Sequence, residues 1–152
     1  MKALIQRVRE ASVSIDGNPV AAIEGGLLVL LGITETDGDK EIEYLVNKIV
    51  SLRIFNDDMQ VMNLSVKDVN GSILVVSQFT LMASTKKGNR PSYLRAAKSA
   101  ISEPLYKRFC LALTQALGQS VAQGRFGADM QVSLINDGPV TIMIDTEENL
   151  VK

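Results

Sequence analysis

Histidine and tryptophan are missing from this 152-residue chain, and cysteine occurs once, as Cys110. Without histidine there is no imidazole base, which excludes Ser–His–Asp and Cys–His nucleophile systems. Histidine-based zinc sites are excluded with it, and a single cysteine cannot assemble a thiolate-rich one. One cysteine also rules out an intrachain disulfide, which fits a reducing compartment. Neither Gly25-Gly26 nor Gly124-Arg125-Phe126-Gly127 matches a phosphate-binding loop or a dinucleotide fingerprint. The longest apolar run, Leu27–Leu31, is far short of the ~20 residues a helix needs to cross a bilayer. Met1–Arg7 enters strand-like alternation directly, without the apolar stretch and cleavage site of a secretory signal. The expectation is a soluble, cytoplasmic protein with no membrane association.

What is present describes an ordinary globular chain. Hydrophobic residues make up 46% and charged residues 22%, enough apolar material for a core without staples. The length fits one domain spanning 1–152. Net charge is −1, but it is unevenly spread. Residues 69–102 hold Lys86, Lys87, Arg90, Arg95 and Lys98 and no carboxylate, so the other eleven cations face all seventeen carboxylates. A basic stretch on an acidic body suits a phosphate-bearing partner engaged at one place; it is also what chance clustering in a solvated loop looks like.

Alternation over Ala3–Ile15, turn chemistry at Asp16-Gly17-Asn18-Pro19 and a second run, Val20–Ile23, predict a β-hairpin. Leu27–Leu31 reads as a strand buried on both faces. Ile42, Leu45, Val46, Ile49 and Val50 fall at helical spacing, predicting a helix over about 39–51 behind a polar stretch that ends in a cap at Asp39. Arg53–Phe55 reads as a short strand, Asn56–Asp58 as a turn, and Ile73–Phe79 as another buried strand. Ser102-Glu103-Pro104 signals the start of a second helix, striped by Leu105, Phe109, Leu113 and Leu117 and stopped at Gly118. Met130–Ile135 and Val140–Ile144 are the last strands. The fold class is α+β, a mostly antiparallel, barrel-like sheet system with two packed helices.

Any chemistry here must rest on hydroxyls, amides, backbone dipoles, carboxylates or groups of the substrate. Two segments stand apart from generic core. Ser77-Gln78-Phe79-Thr80 brings three hydrogen-bonding side chains out of an apolar strand, either at a functional sheet rim or simply where a strand becomes a solvated loop. Asn136-Asp137-Gly138-Pro139-Val140-Thr141 puts a proline between two apolar strands, where the chain must bend or bulge; a plain hairpin turn and a cis X–Pro bond both fit.

Taken together these segments resemble the D-aminoacyl-tRNA deacylase family. The resemblance runs through Ala3–Val8, Ala11–Val13, Gly26–Gly32, Arg53–Phe55, Met62–Leu64, Val75–Leu81, Arg90–Ser92, Gly124–Met130 and Asn136–Thr141, in the family's order and over nearly the whole chain. It implies a homodimer in which Gly138-Pro139 of one subunit, as a cis dipeptide, enters the active site of the other. The backbone carbonyls of that segment would bind the α-amino group and leave no room for an L side chain, a rejection by exclusion. Glycine offers no side chain to reject, so glycyl-tRNA is expected as a second substrate.

Carried over in the same way, Ser77, Gln78, Phe79 and Thr80 are the catalytic candidates. The amides around Phe79 and Thr80 form the oxyanion site, and Ser77 and Gln78 orient the substrate. Thr80 as nucleophile is the alternative, but no base is seen to activate it. Substrate-binding candidates are Gly138, Pro139, Asn136 and Thr141, with Lys86, Lys87, Arg90 and Arg95 meeting phosphates of the tRNA acceptor end. No cofactor and no metal is implied. An aminoacyl ester is already activated, so positioning and oxyanion stabilisation suit its hydrolysis. The rivals are a tRNA-binding or assembly module without turnover, and an esterase without chiral preference.

Overall fold

The computed structural model describes residues 1–150. The chain opens with a long strand, β1 (Lys2–Ile15), which turns at Asp16-Gly17 into β2 (Asn18–Ile23) and continues into β3 (Gly26–Gly32). Helix α1 (Asp39–Ser51) follows, then the two-stranded ribbon β4 (Phe55–Asn56) and β5 (Met62–Leu64). Strand β6 (Ser72–Ser77) leads into a single 3-10 turn, Phe79–Met82, and a long loop reaches helix α2 (Ser99–Leu117). Short β7 (Ala122–Gln123), long β8 (Gln131–Asp145) and a one-turn helix α3 (Thr146–Asn149) complete the described chain.

β1 organises the sheet. One edge pairs antiparallel with β3 over its first half and with β2 over its second, while the other edge pairs antiparallel with β8 along most of its length. On the far side of β3 the pairing changes sense: β3–β6 and β6–β7 are both parallel. The sheet is therefore mixed: mostly antiparallel, as expected, with parallel pairing confined to the β3–β6–β7 side. The cause lies in the connections: α1 and α2 are crossovers between successive strands, and a crossover delivers the next strand in the same direction. β2 also packs against β6 and β7, so the sheet curls towards a barrel.

Alternation divides β3 and β6 between two cores. Leu27, Val29 and Leu31 of β3, with Ile73 and Val75 of β6, face α1 and α2. Leu28 and Leu30, with Leu74 and Val76, point into the curl, against Val8, Val13, Val132 and Leu134. Strands covered on both faces must be apolar throughout, as these are. α1 turns Ile42, Leu45, Val46, Ile49 and Val50 inward, as the spacing predicts.

Several boundaries differ from expectation. Asp39 is the first residue of α1 rather than its cap; Gly38 occupies that place and donates its N–H to Glu41 Oε2 at 2.9 Å. α2 begins at Ser99, three residues before Ser102, whose hydroxyl donates to the Lys98 carbonyl instead of capping. Pro104 thus lies inside the helix. The strand expected to reach Phe79 ends at Ser77, and the two terminal strands are one strand, β8, interrupted in register around Asn136–Thr141. Gly118 ends α2 in the left-handed conformation, φ 84°, as expected.

Candidate active site

The end of β6 opens onto a cavity of about 390 Å³. Ser77, Gln78 and Phe79 form one side. Phe126, Gly127, Ala128, Asp129 and Met130, the loop entering β8, form another, and Ser99 and Ser102 on the first turn of α2 contribute hydroxyls. Asp129 is the one carboxylate among the described lining residues.

The local backbone follows from the sequence. The apolar run of β6 stops at Ser77, and the Gln78 N–H still pairs with Leu31 of β3 at 2.8 Å. The chain then folds into the 3-10 turn, held by Leu81 N–H to the Gln78 carbonyl and Ala83 N–H to the Thr80 carbonyl. The first amides of such a turn, those of Phe79 and Thr80, have no acceptor within it. Gln78 Nε2 donates to Thr80 Oγ1, fixing both side chains at the rim. Phe79 is exposed, so its ring is not core.

The Asn136–Thr141 segment is built by its own side chains. The Gly138–Pro139 peptide bond is cis. Asn136 Oδ1 accepts from the Val140 N–H at 2.7 Å, and its Nδ2 donates to the Val140 carbonyl and to Thr141 Oγ1. Arg7, buried on β1, donates from Nε to the Asp137 carbonyl at 2.8 Å and from Nη1 to the Ile54 carbonyl at 2.6 Å. Gly138 has φ +141°, and a Cβ there would lie 2.9 Å from Arg7 Nη2. Only glycine meets both demands without strain.

This segment does not line the cavity of its own chain. Thr141 pairs with Gln6 and Gln6 with Leu28, whereas Ser77 pairs with Leu31. Three residues along a strand and three strand spacings separate the two places, on the order of 15–20 Å. Gly138 and Pro139 are themselves exposed.

The cations of the 69–102 stretch divide. Arg95 is engaged by Glu147, with both carboxylate oxygens 2.6 Å from Nη2, and this pairing pushes its pKa further up. Lys86, Lys87 and Arg90 lie exposed on a loop closed by the Ser84–Ser92 bridge, with no ion pair among the described residues.

Comparison with known proteins decides the family. Residues 4–145 match the model of the D-Tyr-tRNA(Tyr) deacylase family. The chain belongs to that family. D-aminoacyl-tRNA deacylases of Porphyromonas gingivalis and Flavobacterium psychrophilum are 61% and 60% identical to it, over 96% and 97% of this chain and 97% and 98% of theirs. Among solved structures, a c-Myc DNA unwinding element binding protein superposes with TM-score 0.90 at 42% identity, covering 95% of this chain and 98% of its own. A probable eukaryotic D-amino acid tRNA deacylase superposes with TM-score 0.81 at 17% identity, over 94% and 97%, and shares the fold.

Within this deacylase-family chain, the structure brings Ser77, Gln78 and Phe79 together at the cavity, with Thr80 beside them. Asn136, Gly138, Pro139 and Thr141 are gathered elsewhere, at the exposed turn. Ser99 and Ser102 at the cavity and Arg7 behind the turn join these residues without having been expected there. The serines stand three apart at a helix start and so share a face. Arg7 follows Met1, Ala3 and Ile5 on the inward parity of β1, where a charged group must find partners.

Proposed function

We propose that the chain hydrolyses the ester joining a D-amino acid to the terminal ribose of tRNA, rejects L-aminoacyl-tRNA, and acts in chiral proofreading during translation. The observation that carries the reading is the pairing of a histidine-free cavity, lined by Ser77, Gln78 and Phe79 where a 3-10 turn begins, with membership of the deacylase family; the Phe79 and Thr80 amides open that turn and have no acceptor within it. Water attacks the ester carbonyl carbon, and the resulting oxyanion accepts hydrogen bonds from those two amides. The bond to the ribose oxygen then breaks; that oxygen takes a proton, and a free D-amino acid and tRNA leave. The vicinal ribose hydroxyl assists the water, so the substrate supplies the base-like group that the protein lacks. Ser77 and Gln78 orient the ester, with Asn136 and Thr141 of a second copy of the chain shaping the opposite wall.

The chiral wall is Gly138-Pro139 of a second copy of the chain. The segment projects into solvent, held from behind by Arg7 and Asn136 and too far from its own cavity to line it. A homodimer that exchanges these segments completes both sites. Backbone carbonyls there bind the α-amino group, while the space an L side chain needs is filled. Glycyl-tRNA passes the same wall and is hydrolysed too. Lys86, Lys87 and Arg90 contact the phosphates of the acceptor end, in the cytoplasm where that substrate is found.

The test is hydrolysis of D-tyrosyl-, L-tyrosyl- and glycyl-tRNA by the purified protein. Loss of the D-tyrosyl and glycyl esters with a stable L-ester is the expected result. Loss of all three would mean an unselective esterase, and stable glycyl-tRNA beside rapid D-turnover would sink the wall. Binding of tRNA without any hydrolysis would make the chain a binding module, a reading kept alive by the DNA-binding name of one close structural relative.

A further inference from the structure

Beside the cavity mouth an apolar surface runs outward from the ring of Phe79, whose backbone serves the reaction. Phe79 is 57% exposed, Tyr93 40% and Leu94 95%. The two rings meet edge to face, centroids 5.2 Å apart and planes at 72°. In that arrangement one ring supports the other and leaves flat surface open to solvent. Exposed apolar residues in contact beside a cavity mark a surface for interaction.

The step is held in place. Ser84 and Ser92 exchange backbone hydrogen bonds of 2.8 and 2.9 Å immediately before Tyr93. Immediately after Leu94, Arg95 is clamped by Glu147, and the Ala97 N–H pairs with the Ile33 carbonyl at 2.9 Å. Between these anchors Tyr93 and Leu94 are presented outward on fixed backbone. The same Ser84–Ser92 bridge closes the loop carrying Lys86, Lys87 and Arg90, so the apolar step and three cations without an ion pair among the described residues share one base.

We propose that Tyr93 and Leu94, with the outer face of Phe79, form a stacking step for unpaired nucleobases of the RNA 3′ end. The cationic loop takes the phosphates between them. Flat apolar surface beside positive charge is what single-stranded nucleic acid fits, since every base has a face to stack and every linkage a charge to pair. An apolar protein surface or a neutral lipid would cover the step and leave the cations without phosphates to meet. The step would set affinity for an ester carried on an unpaired RNA end, while Ser77 to Thr80 act on the ester. The inference rests on the proposed deacylase reading and names the part of its substrate that this surface holds.

The decisive measurement is the KM and kcat of Tyr93→Ala and Leu94→Ala on D-tyrosyl-tRNA, with calorimetric titration of the unacylated tetranucleotide ACCA into wild type and both variants. Both side chains are exposed, so the variants should fold. The expected result is a KM raised about tenfold with a smaller change in kcat, a matching loss of tetranucleotide affinity, and recovery towards wild type with Tyr93→Phe, as base stacking requires. An unchanged KM and unchanged tetranucleotide binding would overturn the step. So would a fall in kcat alone, which would mean that Tyr93 acts through Phe79 at the reacting ester. If wild type hydrolyses nothing, the deacylase reading fails by itself, and the tetranucleotide titration still decides the stacking step.

Discussion

Arg7 holds the backbone of Asp137 by a guanidinium buried in the sheet: Nε reaches the Asp137 carbonyl at 2.8 Å while Nη1 reaches Ile54 at 2.6 Å. The side chains of the pair approach only to 3.9 Å, so the backbone contact is what positions the turn. A planar fork holds two carbonyls in fixed, divergent directions from separate nitrogens, whereas an ammonium concentrates its donors on one atom. Arg7→Met should cost about 2–3 kcal/mol, since the Ile54 carbonyl stays buried without a donor while water can reach Asp137. Arg7→Lys should recover little of this. Urea unfolding checks the stability, and under the proposed wall D-tyrosyl-tRNA turnover should fall in both variants.

Gly138→Ala tests the same turn from inside. A Cβ at φ +141° would stand 2.9 Å from both Arg7 Nη2 and Val140 Cγ2. Strain of this kind costs on the order of 1–3 kcal/mol. Gly25→Ala is the control: nothing lies within 4 Å of its Cβ, and stability should stay within about 0.5 kcal/mol of wild type. Equal melting curves for the two variants would mean the turn yields more easily than its contacts imply.

Much of this fold was legible because burial writes itself into pattern. Leu27–Leu31 is apolar at every position because the two cores flank β3, and α1 shows its buried stripe at helical spacing. The parallel pairing of β3 with β6 was not legible, because it depends on where a crossover helix lands rather than on either strand. Ser102-Glu103-Pro104 misled for a local reason: a hydroxyl before a proline looks like a cap, yet Ser102 bonds back to Lys98 within a helix already under way.

The candidate site was legible where polar residues interrupt apolar strands, at Ser77–Thr80 and Asn136–Thr141. Their separation within one chain was not, since it follows from strand register. Nor was the fate of Arg95: it belongs to the basic stretch by sequence but to Glu147 by contact, and only a fold that docks α3 near that loop reveals it.

Thr80→Ala should reduce turnover on D-tyrosyl-tRNA without abolishing it. The Thr80 hydroxyl accepts from Gln78 Nε2, and no histidine exists anywhere in the chain to draw off its proton. Its amide, the part proposed to hold the oxyanion, survives the substitution. A loss of about tenfold is expected from disturbing the Gln78 side chain. Acid-quenched single turnovers check the alternative: an acyl group trapped on wild type, with an inert variant, would make Thr80 the nucleophile.

Salt should weaken the interaction with tRNA steeply. Lys86, Lys87 and Arg90 are exposed and, among the described residues, without ion pairs, so phosphates bound there release counterions. Each alanine substitution should reduce the slope of log affinity against log salt by about 0.7 if one phosphate contact to single-stranded RNA is lost. Arg95→Ala should change that slope least, because Glu147 already neutralises it. An unchanged slope in the triple variant would remove this loop from the interface.

Cys110 should be inert in the native protein and should tilt the alkaline limb of stability. The thiol is buried against Tyr106, and burial pushes it from 9.0 up to about 12, against a smaller downward pull from the Tyr106 hydroxyl. Burial raises Tyr106 as well, and its hydroxyl donates to the Val75 carbonyl at 2.9 Å. Well below pH 9 both groups are protonated whether folded or not, and they add no pH dependence. Between pH 9 and about 12 the unfolded thiol loses its proton while the folded one keeps it. The unfolded state then binds fewer protons, so stability falls as pH rises, with a slope approaching ~1.4 kcal/mol per pH unit for this one group. Cys110→Ala should flatten that limb in part, leaving the share of Tyr106. Unfolding at pH 8 to 11 measures the limb, and thiol titration before and after denaturation checks the burial. Rapid labelling of the native protein at pH 8 would show that the packing around Cys110 opens.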